Sequence, residues 1–139
     1  MSLIAEESVA TMAINGEADL LRVRSALRAQ AQLAGLRLTA ETKLVTAGSE
    51  LARNIVRYAT YGQGVVDIEL LTMGERSGVR AVFVDHGPGI PDLDAALRDG
   101  WSTGGSLGLG LPGARRLVDE FSIESGATGT TVAIEQWSR

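Results

Sequence analysis

Two residues four apart, Glu50 and Asn54, and two glycine-rich stretches contain the residue types in this chain that could do chemistry. The stretches are Asp85-His86-Gly87-Pro88-Gly89-Ile90 and Gly104-Gly105-Ser106-Leu107-Gly108-Leu109-Gly110. Within a helix, four residues make about 400° of rotation and ~6 Å of rise, so Glu50 and Asn54 share a face. A carboxylate there can act as general base toward a hydroxyl or a water. An amide oxygen there can ligate Mg²⁺ carried by phosphates, since this hard cation takes oxygen donors. A solvated helix face has the same spacing. Asp85 ends the continuous apolar run Ala81-Val82-Phe83-Val84, which reads as a buried strand. A carboxylate at such a strand end can accept a hydrogen bond from an amine, for example the exocyclic amine of adenine. The glycines after it remove Cβ atoms where a planar ring would approach the backbone. The plainer alternative is a tight turn in which Asp85 bonds its own backbone.

The second stretch runs into a helix, where free backbone N–H groups and a positive dipole end receive phosphates. A surface loop is the plainer reading. Gly108-Leu109-Gly110-Leu111-Pro112-Gly113 also spells the dinucleotide-binding string, but residues 98–107 do not read as the strand that must precede it. Gly129-Thr130 opens the last strand, and the Thr130 hydroxyl can donate or accept beside a base. His86, the only histidine, reads as a loop residue rather than a catalyst.

The elements that must position these residues follow from periodicity and turn signals. Ser8–Ile14 reads as a strand, and residues 17–35 as a helix with Leu20, Val23, Leu27, Ala31 and Ala34 on one stripe. Arg22, Arg24 and Arg28 lie on its polar side, either as a docking strip or as a solvated face. Thr39 is the expected cap of a second helix reaching Tyr58, buried along Leu44, Ala47, Leu51, Ile55 and Tyr58. Gly48 inside that helix calls for a close helix–sheet contact. Val65–Met73 alternates as a half-buried strand, residues 74–78 read as a loop, and Arg80–Asp85 returns. Asp92–Leu97 is a short helical piece, and Leu111–Phe121 is a helix with Pro112 in its first turn. Ser122–Ser125 and Thr130–Trp137 close the chain as a hairpin. The result is a single domain over residues 1–139: a two-layer α/β sandwich with a mixed, mostly antiparallel sheet covered on one face by helices.

Composition narrows the function classes. The 139 residues carry a net charge of −4, which argues against a nucleic-acid surface and leaves any phosphate site to local devices. There is no cysteine, so disulfides and thiolate metal sites are excluded. No apolar run is long enough to span a membrane, and the first ten residues lack the pattern of a signal peptide. A cytoplasmic protein acting without membrane or nucleic acid is expected.

In this order, Glu50/Asn54, Asp85-x-Gly87-x-Gly89, Gly108-x-Gly110 and Gly129-Thr130, the chain resembles the GHKL ATPases over about residues 8–137. Histidine kinases, gyrase-type ATPases and anti-sigma-factor kinases share that family. Ser49-Glu50-Leu51-Ala52-Arg53-Asn54 and the short segment between Ile90 and Leu107 are most similar to the small bacterial switch kinases, which phosphorylate serine or threonine in STAS-domain antagonist proteins of sigma-factor control. The resemblance implies a Bergerat-type fold, ATP and Mg²⁺ as cofactors, and phosphoryl transfer achieved mainly by positioning and electrostatics. It makes Glu50 the general base and Asn54 the Mg²⁺ ligand. Asp85 becomes the receiver of the adenine amine, with Gly87 and Gly89 admitting the ring and Ile90 beside them. Gly104, Gly108, Leu109 and Gly110 become the phosphate wrap, and Thr130 the support of the adenine side. A sigma factor or a downstream phosphatase would be a further partner, and the protein a monomer or homodimer. The alternative function is an ATP-binding module that sequesters a partner without phosphotransfer.

Two departures stand out. Arg98 is the only basic residue between Ile90 and Ala114, so a lid lysine is lacking, and Arg53, Arg57 and Arg115 are the cations left to meet a γ-phosphate. The tract Ile55-Val56-Arg57-Tyr58-Ala59 lacks the histidine common in the anti-sigma branch, which weighs against a direct sigma-factor partner.

Overall fold

The computed structural model describes residues 4–98 and 110–138. In chain order they form β1 (Ala5–Ile14), α1 (Ala18–Leu33), α2 (Leu38–Tyr58), β2 (Gly64–Met73), β3 (Arg76–Asp85), α3 (Leu93–Ala96), α4 (Leu111–Leu117), β4 (Glu120–Gly126) and β5 (Gly129–Trp137). The five strands make one sheet in the order β1-β2-β3-β5-β4, and each neighbouring pair is antiparallel. Alternation decides which face is covered. Val66, Ile68, Ala81, Phe83, Val132 and Ile134 share one core with Leu27 of α1, Leu44, Leu51 and Ile55 of α2, and Leu111 of α4. The residues between them, such as Asp67, Glu69, Arg80 and Glu135, point to the other side. This is the expected two-layer sandwich, but its sheet is antiparallel throughout rather than mixed, and Tyr58 at the end of α2 is exposed rather than buried.

The contact that explains Gly48 is mainly between helices. A Cβ on Gly48 would collide with Leu27 Cδ1 of α1 and come 3.6 Å from Phe83 Cζ of β3. The glycine lets α1, α2 and the sheet meet at one point. At the far end of β5 from Thr130, the Gln136 side chain ties three elements together: its amide nitrogen donates to Ala40 O and Leu117 O, and its oxygen accepts from Asp119 N.

Four boundaries differ from the sequence expectation. The expected 74–78 loop is a tight turn at Gly74-Glu75, because Ser77 pairs with Thr72 and Gly78 with Leu71. Gly78 is a sheet residue whose missing Cβ makes room for the Trp137 ring, 2.9 Å from where that carbon would sit. The fourth helix stops at Leu117, since Phe121 pairs with Ile134 in β4 rather than extending the helical stripe. Thr39 lies inside α2, whose flanking residue is Arg37 and which has no side-chain cap. β1 begins at Ala5, three residues earlier than its apolar content suggests, because Glu6 finds a partner on β3.

That partner is Arg80. Its guanidinium meets Glu6 at 2.7 Å, Glu135 at 2.9 Å through Nε, and Glu69 at 3.4 Å, so one cation on the helix-free face serves carboxylates from β1, β2 and β5. Burial, followed by the charge of Glu6, pushes the Glu69 carboxyl above its usual range. The folded state therefore holds this proton more tightly than the unfolded chain. The stability it contributes is present below the unfolded pKa and lost as pH rises through the folded one. Replacing Arg80 with methionine leaves three carboxylates facing one another. The expected loss is about 3 kcal/mol of unfolding free energy at pH 7, shrinking toward acid as the carboxylates take up protons. Urea melts of both proteins across pH 4 to 8 check this, and a loss independent of pH would contradict it.

Candidate nucleotide site

The site starts from sheet register. Asp85, the last residue of β3, pairs with Thr130 of β5, which pairs with Ser125 of β4. Two residues back on each strand, the same face carries Phe83, Val132 and Ile123. A polar row therefore caps an apolar row at one end of the sheet. Leu51, Asn54, Ile55 and Tyr58 of α2 stand over these rows, with Gly89 and Ile90 on one side and Leu111 of α4 on another. The cleft they bound is narrow, about 60 Å³, and opens to solvent at its mouth. Its walls are apolar, and its polar groups are few and concentrated at Asp85, Thr130 and Asn54.

Asp85 fulfils the plainer reading and still reaches the cleft. Its Oδ1 accepts the Gly87 N–H at 2.8 Å, which closes the turn, while the carboxylate remains part of the cleft lining. The two glycines that follow are needed for a different reason from the one expected. A Cβ on Gly87 would stand 2.9 Å from Ala59 Cα, against the turn that leaves α2. Gly89 has a φ of 81°, and its Cβ would collide with Gly126 O. Both are explained by the protein's own backbones meeting, which fixes the Asp85–Ile90 loop against α2 on one side and the β4–β5 hairpin on the other. Ser125 Oγ accepts the Ile90 N–H at 2.8 Å and lies 2.8 Å from Thr130 Oγ1.

Next to Leu111 of the cleft lining, Gly110 precedes α4 with a left-handed φ of 67°. A Cβ there would come 2.7 Å from Glu50 Oε2. The missing side chain lets the Glu50 carboxylate lie against the start of α4. Its other oxygen, Oε1, accepts from Arg53 Nη1 at 3.0 Å. Arg115, another cation considered for a γ-phosphate, donates to Leu97 O at 2.9 Å and so links α4 to the end of α3. On α1, Arg22 pairs with Asp19 at 3.0 Å, and Arg28 lies 3.8 Å from the largely buried Glu41.

The structure thus brings Asn54, Asp85, Gly89, Ile90 and Thr130 around one cleft, with Gly87 bracing its edge, while Glu50 and Gly110 meet each other next to Leu51 and Leu111 of its lining. Gly104, Gly108 and Leu109 lie outside the described residues. Sequence reasoning missed Ser125 and the apolar wall of Phe83, Ile123 and Val132. The hairpin signal at 126–129 held the clue to Ser125, because a two-residue turn there puts it opposite Thr130.

A family model described as the histidine kinase-like ATPase domain matches residues 15–135. The chain belongs to the histidine kinase-like ATPases. Serine/threonine-protein kinase RsbT of Bacillus subtilis (strain 168) is 42% identical to this ATPase domain over 124 residues, covering 88% of the present chain and 92% of the relative. The histidine kinase domain of the blue-light activated histidine kinase from Erythrobacter litoralis EL346 superimposes with a TM-score of 0.51 at 23% identity, over 95% of this chain and 67% of that one. That likeness shows the fold.

ATP is the nucleotide of such a domain. The lining of the cleft sets apolar side chains beside the Asp85 carboxylate and the Thr130 hydroxyl, which face each other across neighbouring strands. Among the described residues, no group of three or more His, Cys, Asp or Glu side chains could hold a metal ion. A cation entering with phosphate oxygens needs few protein ligands, and the Asn54 amide oxygen is of the right type. No helix among the described residues is long and apolar enough to cross a membrane.

Proposed function

We propose that this protein is an ATP-dependent serine/threonine kinase of the cytoplasm whose acceptor is a STAS-domain protein in bacterial sigma-factor control. The observation that supports this reading is that Glu50 lies beside Gly110 at the start of α4, next in sequence to Leu51 and Leu111, which line the same cleft as Asp85 and Thr130. A nucleotide whose base lies at Asp85 runs its phosphates toward Glu50. The kinship with a serine/threonine-protein kinase at 42% identity supports the same assignment.

Each residue has a task that its position allows. Asp85 and Thr130 hold the base edge, and Phe83, Ile123 and Val132 keep water from its face. Asn54 holds Mg²⁺ through its amide oxygen, and the backbone at the start of α4 receives phosphate. Bound ATP supplies the phosphoryl group. Glu50 accepts the proton of the acceptor hydroxyl, and Arg53 keeps one of its oxygens in place until the acceptor arrives.

The test is incubation with MgATP and the STAS-domain proteins of the same genome, with each partner weighed intact by mass spectrometry. One partner gaining a single phosphoryl group on serine or threonine is the expected result. A tight ATP-dependent complex with no mass gain in any partner would favour a sequestering module instead.

A further inference from the structure

We infer that Ser125, which does not line the cleft itself, selects the purine by fixing the Thr130 hydroxyl as a hydrogen-bond donor. The inference rests on the nucleotide reading above and goes on to which base is accepted and why. Three observations carry it. Asp85, Thr130 and Ser125 occupy one cross-strand row, so their positions are set by the β3–β5–β4 ladder rather than by loop geometry. Ser125 Oγ already accepts the Ile90 N–H at 2.8 Å. The same oxygen lies 2.8 Å from Thr130 Oγ1, so one of the two hydroxyls donates to the other.

A hydroxyl has one proton to give and two lone pairs to receive. With the backbone N–H already directed at Ser125 Oγ, the arrangement that polarises the chain in one direction has Ser125 donating to Thr130. Thr130 then accepts from Ser125, and its own proton is left for a group in the cleft. Successive bonds running the same way strengthen one another. On the neighbouring strand, Asp85 is an acceptor only, and one of its oxygens is taken by Gly87.

The wall therefore presents an acceptor, Asp85, next to a donor, Thr130. Adenine offers the matching edge, an amine donor beside the ring acceptor N1. Guanine and hypoxanthine offer the inverse, a carbonyl acceptor beside an N1–H donor. Against that inverse edge both pairs clash: carboxylate meets carbonyl, and O–H meets N–H. Without Ser125 the Thr130 hydroxyl is free to rotate, and one of the two clashes disappears.

The experiment is calorimetric titration of the protein with MgATP and, separately, with magnesium inosine triphosphate. The wild type is compared with Ser125→Ala and Ser125→Thr. Wild type should prefer ATP strongly. Ser125→Ala should lose about five- to tenfold of that preference, the scale of one hydrogen bond, while Ser125→Thr, which keeps the hydroxyl, should retain it. A general loosening of the Ile90 loop weakens both nucleotides alike and leaves the ratio unchanged, so an unchanged ratio in Ser125→Ala beside an ATP-selective wild type overturns this inference alone. A wild type that binds neither triphosphate removes the nucleotide reading, and the inference with it. Should Ser125→Ala not fold, the Ser125→Thr ratio together with that of Thr130→Val decides. Loss of selectivity in Thr130→Val with retention in Ser125→Thr supports the inference, and full selectivity in Thr130→Val overturns it.

Discussion

Glu50→Gln should abolish phosphoryl transfer to the acceptor protein and leave ATP affinity unchanged. The substitution is nearly isosteric. A glutamine oxygen can still accept from Arg53 Nη1, and the side chain still fits beside Gly110, so the cleft keeps its shape. What goes is the proposed acceptor of the hydroxyl proton. A positioned general base contributes roughly a hundredfold or more, so a fall of at least that size is expected. Time courses by intact mass give the transfer rate, and calorimetry on the same preparation gives the affinity. A variant that transfers at the wild-type rate would remove Glu50 from the role of base. A variant that neither transfers nor binds ATP would point to a role in holding the start of α4.

Asp85→Asn should weaken ATP by about 1–3 kcal/mol, the cost of a buried hydrogen bond lost with its partner left unmet. The side-chain oxygen of asparagine can still accept the Gly87 N–H, so the turn survives and the unliganded protein should melt close to wild type. The second carboxylate oxygen becomes an NH₂ group, which opposes the amine of adenine with another donor. Titration with MgATP reads the loss directly as about a 5- to 150-fold rise in Kd, by the usual conversion of free energy to affinity. Equal affinities would place the base elsewhere.

Much of this arrangement was legible in the chain. Val66 and Ile68 alternate with Asp67 and Glu69, and that period placed β2 and its covered face. The apolar run into Asp85 placed the strand end, and the spacing of Glu50 and Asn54 placed both on one side of α2. Long-range register was harder to read. Phe121 continues the helical stripe of Leu117 and Val118 in sequence, and only its pairing with Ile134 shows that the helix has ended. Ser77 and Gly78 have turn composition, yet the reason for Gly78 is a tryptophan almost sixty residues away. Gly87 and Gly89 signalled close approach correctly, but composition does not say what approaches, and in the structure it is backbone. Ser125 carried no motif at all. Its role comes from facing Thr130 across a hairpin and Ile90 across a loop, and neither relation exists until the sheet is assembled.

The two ends of the cleft are anchored very differently. Asp85, Thr130 and Ser125 are stitched into the middle and edge of a five-stranded ladder, whose opening requires much of the protein to come apart. Gly110 leads a seven-residue helix, which costs little to unravel by a turn. On the proposed reading, a nucleotide held between them would be gripped by a fixed jaw at its purine and a yielding one at its phosphates. That reading would let transfer of the terminal phosphoryl group and release of the spent nucleotide proceed in separate stages, the tail letting go while the head stays seated.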